Sequence, residues 1–217
     1  MPVITISRQY GSGGEAIAKG LCEVLGYSYF DKNLMVRVAT EAGISEDDII
    51  DFSEHTYKIR GFLDRLFGRR RSAAEALVSS TSKYALPVET LDEARSVNLV
   101  KDTIIEAHKH DNVVIVGRGG QAILREHPAV LHVRIVAPLG ARVLRVQAEE
   151  NLSLDEATAQ VKRRDEAASA YLERFYDIDW DNPMLYHLTI NTGKWETEDA
   201  VQIILNALAH LRMVKTA

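Results

Sequence analysis

Five short runs rich in β-branched residues punctuate the chain, at 3–7, 28–31, 113–116, 130–137 and 187–191. Val113, Val114, Ile115 and Val116 are apolar at four successive positions, which predicts a strand covered on both faces, as in a parallel sheet. Helical patterns lie between these runs. Ile17, Leu21, Val24 and Leu25 repeat at helical spacing and stop at Gly26, so the first strand feeds a helix through the turn Gly11, Ser12, Gly13, Gly14. A second long helix is marked by Leu91, Ala94, Val97, Ile104 and Ile105 and leads through Asp111 and Asn112 into the third strand. Two more are expected at 139–150 and 154–174, the latter opened by a capping box of Ser153 and Glu156, and a last one at 198–211.

Strands alternating with helices require right-handed crossovers and a mainly parallel sheet with helices on both faces. The expectation is one α/β domain over 1–217 built on a five-stranded, three-layer plan. Residues 43–90 interrupt the alternation with helix signals and no strand signal, and read as a helical insertion. They include the basic run of Arg60, Arg65, Arg69, Arg70 and Arg71.

Composition narrows the partners. The formal charge of -5 supplies no global positive field toward nucleic acid or an anionic membrane, so any anion must be met locally. Leu63, Leu66 and Phe67 are spaced like one helix face, and the basic run reads as a cationic cover near a ligand site rather than a nucleic-acid surface. Cys22 is the one cysteine and reads as a buried, inert thiol on the first helix. No apolar run approaches ~18 residues, and the N-terminal residues lack the look of a leader, so a cytoplasmic protein is expected. The seven histidines show no metal-ligand spacing, and no structural metal is expected.

The chemistry concentrates at 4–18. Successive N–H groups in a glycine-rich turn can point at phosphate oxygens, and the following helix adds the positive end of its dipole. Set against the pattern G-x-x-x-x-G-K-[ST], Arg8 stands in place of the first glycine, Gly14 in place of the lysine and Glu15 in place of the hydroxyl residue. The lost lysine would have followed the β- and γ-phosphates, and the lost hydroxyl would have bound magnesium. Arg8, a long cation at the end of the first strand, is placed to reach back over the turn and replace that charge in part. Arg118 follows the apolar strand among Gly117, Gly119 and Gly120, where a guanidinium can grip phosphate through two parallel hydrogen bonds. Asp31 follows the second strand, where ligands gather in such sheets, and equally suits the N-cap of a helix beginning near Lys32.

The opening Ile4-Thr5-Ile6-Ser7-Arg8-Gln9-Tyr10-Gly11-Ser12-Gly13-Gly14, with Tyr29-Phe30-Asp31-Lys32, Val116-Gly117-Arg118-Gly119 and Leu188-Thr189-Ile190-Asn191-Thr192, resembles the cytidylate kinase-like family. That family is a divergent branch of the P-loop nucleoside monophosphate kinases and shares the missing lysine. The resemblance implies phosphoryl transfer from ATP to a nucleoside monophosphate, CMP-like, with magnesium held mainly by phosphates and water. It places Gly11, Ser12, Gly13 and Gly14 at the donor phosphates, Arg118 and Asp31 at the acceptor, and Lys32 and Arg37 facing the same pocket. It makes 139–175 a lid whose Arg142, Arg163 and Arg164 close over the donor, with Arg145 as a further candidate. The lid departs from the family where Glu166-Ala167-Ala168-Ser169-Ala170-Tyr171 replaces an expected aspartate and arginine. Loss of lysine, hydroxyl and lid residues leaves a second reading open, a non-catalytic nucleotide-binding or regulatory protein.

Overall fold

A computed structural model describes residues 2–31 and 93–211. Its chain contacts divide into two compact units, Met1–Lys32 with Asp111–Ala217, and Asn33–His110. The described part of the second unit is chiefly one helix, α2 (Glu93–Lys109), where Lys109 pairs with Glu106 at 2.7 Å. Lys32, Arg37, the insertion at 43–90 and its basic run lie outside the described residues.

In the first unit β1 (Val3–Arg8), β2 (Ser28–Phe30), β3 (Val113–Val116), β4 (Val130–Val136) and β5 (Leu188–Asn191) form one sheet in the order β2-β3-β1-β4-β5. Every pairing is parallel. Central β1 sets Thr5 against Ile115 on one side and His132 on the other. Because side chains alternate along a strand, the sheet acquires two different faces. Ile4, Ile6, Val114, Val116, Leu131, Val133 and Ile135 turn toward α1 (Gly14–Leu25) and α6 (Thr197–Ala209), whose Ile17, Leu21, Val201 and Ile204 complete an apolar core. Each such aliphatic side chain contributes roughly 1.5–3 kcal/mol by leaving water.

The opposite face is buried yet polar. Thr5 Oγ1 and His132 Nδ1 lie 2.7 Å apart, and the His132 ring stacks on His187 at 5.0 Å. Burial pulls His132 down to about 4, so it stays neutral at pH 7. Ser7 Oγ accepts from Trp180 Nε1 at 2.8 Å, and Arg134, paired with Asp181, lies beneath the Trp180 and Tyr186 rings at 4.8 and 5.3 Å. This face is closed by α3 (Gly120–Ile123) and by the segment leading through a 3₁₀ turn, Pro183–Leu185, into β5.

Helix ends follow local chemistry. Gly26, Asn151 and Asp177 take the left-handed conformation that closes α1, α4 (Leu139–Glu150) and α5 (Leu154–Tyr176). The Ser153–Glu156 capping box opens α5 as expected. Two expectations change: Val24 is exposed, because the apolar stripe of α1 is narrower than its spacing suggests, and Cys22 is only partly buried beside the core. Among the described residues, no helix is long and apolar enough to cross a membrane.

Candidate functional site

The carboxyl ends of β1, β2 and β3 carry the candidate residues. After β1 the chain makes a turn with Gly11 at φ 74° and Gly13 at φ 78°, both in the region that favours glycine. Its carbonyls are drawn to one side. Arg142 Nη1 donates to Tyr10 O at 3.1 Å, Arg145 Nη1 to Gly11 O at 3.4 Å, and Thr192 Oγ1 to Ser12 O at 2.7 Å. In a planar trans peptide the N–H of the next residue points opposite to the carbonyl, so fixing Tyr10 O and Ser12 O outward directs the N–H groups of Gly11 and Gly13 inward.

The protein's own acceptors occupy part of the turn. Tyr10 N donates to Asp165 Oδ1 at 2.9 Å and Ser12 N to Gln9 O at 3.2 Å. Gly13, the N-cap of α1, receives no side-chain cap, and the first N–H groups of a helix have no acceptor within it. A Cβ at Gly13 would meet nothing within 4 Å, so the inner side of the turn is open there. Ser12 Oγ is fully buried without a hydrogen-bond partner among the described residues.

Arg142 is not where a lid cation over a phosphate would be. It is buried, donates from Nε to Ala137 O at 3.0 Å, and pairs with Asp165 at 2.5 Å. Arg145, the further lid candidate, is bonded to Thr192 Oγ1 at 3.0 Å and Thr192 O at 2.8 Å. The first two turns of α4 and the middle of α5 thus hold the outer side of the glycine turn. Arg163 and Arg164 are exposed, and Arg164 stacks over the Tyr10 ring at 5.5 Å. Tyr10, whose hydroxyl donates to Glu150, belongs to the same tie.

Arg8 leaves the end of β1 and crosses in front of the turn. Its Nη2 meets Glu15 Oε1 at 3.0 Å, while Nη1 lies so close to Gly117 that a Cβ there would come within 2.5 Å of it. The cation and the acid at the unusual signature positions are therefore partners.

After β3, three successive residues have positive φ: Gly117 at 74°, Arg118 at 55° and Gly119 at 72°. Arg118 pays about 1 kcal/mol for a conformation that clashes with Cβ. Gly117 N anchors this turn to Ile6 O at 2.9 Å. Burial depresses the Arg118 pKa, with Arg8 acting in the same direction and Tyr171, Tyr176 and Asp31 opposing. The guanidinium remains charged and half-buried, and among the described residues it forms no ion pair. Asp31 follows β2 directly and acts electrostatically on both Arg118 and Tyr29. Burial, then Glu15 and Asp31, push the Tyr29 phenol up to about 12.

The structure thus gathers Arg8, Asp31, Arg118 and the glycine turn at one sheet edge, and it sets Arg142 behind the turn. Sequence reasoning gave no site role to Asp165, Thr192, Tyr171 or Tyr176, since each acts through contacts distant along the chain; the one signal was the missing family aspartate and arginine across 166–171.

A five-stranded parallel sheet in this order, with a glycine turn between its central strand and α1, defines the P-loop kinase class. The family model described as the cytidylate kinase-like family matches residues 3–194, and the chain belongs to that family. It is 26% identical over 211 residues to a cytidylate kinase of Methanothrix thermoacetophila, covering 97% of this chain and 99% of that one. A cytidylate kinase of Pyrococcus horikoshii is 28% identical over 216 residues, covering 99% and 92%. Among solved structures, an uncharacterized protein from Eubacterium ventriosum aligns with TM-score 0.65 and 19% identity over 97% of this chain and 99% of that one. A shikimate kinase from Bacteroides thetaiotaomicron aligns with TM-score 0.51 and 15% identity, over 96% and 98%, which supports the fold.

Proposed function

We propose that this protein transfers the γ-phosphoryl group of ATP to a nucleoside monophosphate, with CMP as the first acceptor to try. The observation that carries the reading is the convergence of inward amides, Arg8, Asp31 and Arg118 on the carboxyl edge of adjacent strands, where such sheets bind ligands. Relatives named cytidylate kinase along nearly their whole length support the same class of reaction.

In this reading a phosphate oxygen of the acceptor attacks the γ-phosphorus, the new P–O bond forms as the bond to the β-phosphate bridge breaks, and ADP leaves. The protein positions and neutralises. N–H groups of Gly11, Gly13 and Gly14 meet donor phosphates, and Arg118 takes the acceptor phosphate. Asp31 orients the acceptor or the guanidinium, and Lys32 and Arg37 face the same pocket. Arg8 exchanges Glu15 for phosphate and supplies the charge that the signature lysine usually brings. Arg163 and Arg164 close over the donor from α5, while Arg142 acts from behind by fixing the turn.

Among the described residues, no three His, Cys, Asp or Glu side chains gather as a metal cage. Magnesium entering with ATP would be held mainly by phosphate oxygens and water, and would supply charge neutralisation there. The chain is read as one kinase-like domain with its insertion at about 43–90 and lid at about 139–175, working in the cytoplasm on small nucleotides.

A coupled ADP-release assay over a panel of nucleoside monophosphates, run beside calorimetric ATP titration, tests this. Acceptor-dependent ADP release is expected, with CMP among the best acceptors. Tight ATP binding without acceptor-dependent release would instead favour a non-catalytic nucleotide-binding protein, a reading suited by the Arg8–Glu15 pair standing at the first-glycine and hydroxyl positions. An Arg8→Ala protein is expected to lose turnover more than ATP affinity; unchanged values of both would remove Arg8 from the mechanism.

A further inference from the structure

Two tyrosines on the last turns of α5 stand beside Arg118 and have no place in the reading so far. A Cβ at Gly119 would meet Tyr176 Cε2 at 2.7 Å, so the Tyr176 ring lies directly on the turn that bears Arg118. Tyr171 meets Tyr176 edge-on with ring centroids 5.9 Å apart and packs on Phe175 at 5.1 Å. Both phenols lie close enough to the Arg118 guanidinium to bear on its titration.

The hydroxyl oxygens of Tyr171 and Tyr176 are buried, and among the described residues neither makes a well-formed hydrogen bond beyond the approach of one phenol to the other. An unmet buried hydroxyl costs about 1–3 kcal/mol. Closing one O–H···O bond between the two phenols would still leave one hydroxyl proton unspent. Burial, then a hydrogen bond to Tyr171, raises the Tyr176 phenol well above its ordinary value, so it stays protonated at neutral pH. Two neighbouring phenols and a half-buried guanidinium that forms no ion pair among the described residues make a cluster of hydrogen-bond donors.

Building on the assignment of Arg118 to the acceptor, we propose that Tyr171 and Tyr176 donate hydrogen bonds to the acceptor's phosphate beside Arg118. Neutral donors then do the work of the lid arginine that is missing from 166–171. Neutral donors suit this place because Arg8 already disfavours charge on Arg118, and a further cation would raise that repulsion.

The test is calorimetric titration of the full chain and its Tyr171→Phe, Tyr176→Phe and Arg118→Ala variants with CMP, or the monophosphate selected by the assay panel, and with the corresponding nucleoside. ATP titration and thermal unfolding of each ligand-free protein accompany it. Phenylalanine keeps both rings, so the packing on Gly119 survives. Each Phe variant is expected to lose roughly tenfold in monophosphate affinity, the scale of one hydrogen bond to a charged group, with nucleoside and ATP affinity unchanged. Its unfolding temperature stays level or rises, because an unmet buried hydroxyl has gone. Monophosphate affinity kept in both Phe variants but lost in Arg118→Ala overturns the tyrosine proposal and leaves the Arg118 assignment standing. Affinity kept in Arg118→Ala as well, or absent in the unaltered protein, overturns both. Phe variants that melt lower and weaken ATP and monophosphate alike assign the hydroxyls to structure and overturn the proposal.

Discussion

The turns after β1 and β3 are both glycine-rich and both run through positive φ, but they are held in opposite ways. Around the first, Arg142, Arg145, Thr192 and Asp165 grip the outer side, and the amides of Gly11 and Gly13 are left as the inner surface. Around the second, the backbone is anchored through Gly117 N and closed by Gly120 N on Gly117 O at 3.1 Å, while the side chain of Arg118 has no protein counter-ion among the described residues. One turn therefore offers main-chain donors set by external ties, and the other offers a cation set by local backbone strain. Main-chain donors cannot be mutated away but can be misaligned; a strained cation can be removed at no cost to the fold.

That difference is sharpest at the ties. Removing the buried partner of Asp165 in Arg142→Ala strands a partly buried carboxylate and leaves Tyr10 O and Ala137 O short of donors. The expected loss is about 3 kcal/mol in urea unfolding, with ATP affinity falling as the turn loosens. Arg142→Lys does not rescue it, since an ammonium lacks the fork that reaches three acceptors. A loss below about 1 kcal/mol would mean that the turn does not depend on this tie.

Within the turn, Gly11 and Gly13 separate packing from conformation. A Cβ at Gly11 would sit 2.8 Å from both Arg142 O and Val146 Cγ2, whereas one at Gly13 meets nothing. Gly11→Ala is expected to cost about 2 kcal/mol, conformation and overlap together, and Gly13→Ala about 1 kcal/mol from positive φ alone. Equal losses in the two unfolding curves would contradict the picture of an outer side packed on α4 and an open inner side.

Much of this was legible in the sequence, for physical reasons. A parallel sheet buried on both faces writes itself as short β-branched runs, and each of the five expected strands is present within two residues of its expected ends. Gly26 and the Ser153–Glu156 box are local signals and read correctly. Arg8, Asp31 and Arg118 were legible as a set because each lies at a strand end. Their contacts were not: Arg142 lies on a helix face like Arg145, and only the approach of Asp165 from another helix turns it inward. The segment that covers the polar face escaped notice because Trp180 and Tyr186 sit in irregular backbone, where no periodicity marks them as core.

Arg118→Gly probes the second turn and has the smallest expected effect on stability. At φ 55° glycine needs no strain, which favours the folded state by about 1 kcal/mol, and the freer unfolded chain takes back a similar amount. Denaturant unfolding should therefore shift by less than about 1 kcal/mol in either direction, in contrast to Arg142→Ala. Under the proposed function the same variant binds ATP normally and loses acceptor-dependent ADP release, by roughly a hundredfold in kcat/KM, as expected when a charged phosphate contact is removed. A strongly destabilised Arg118→Gly protein would show that the guanidinium is a structural tie like Arg142, and the contrast between the two turns would disappear.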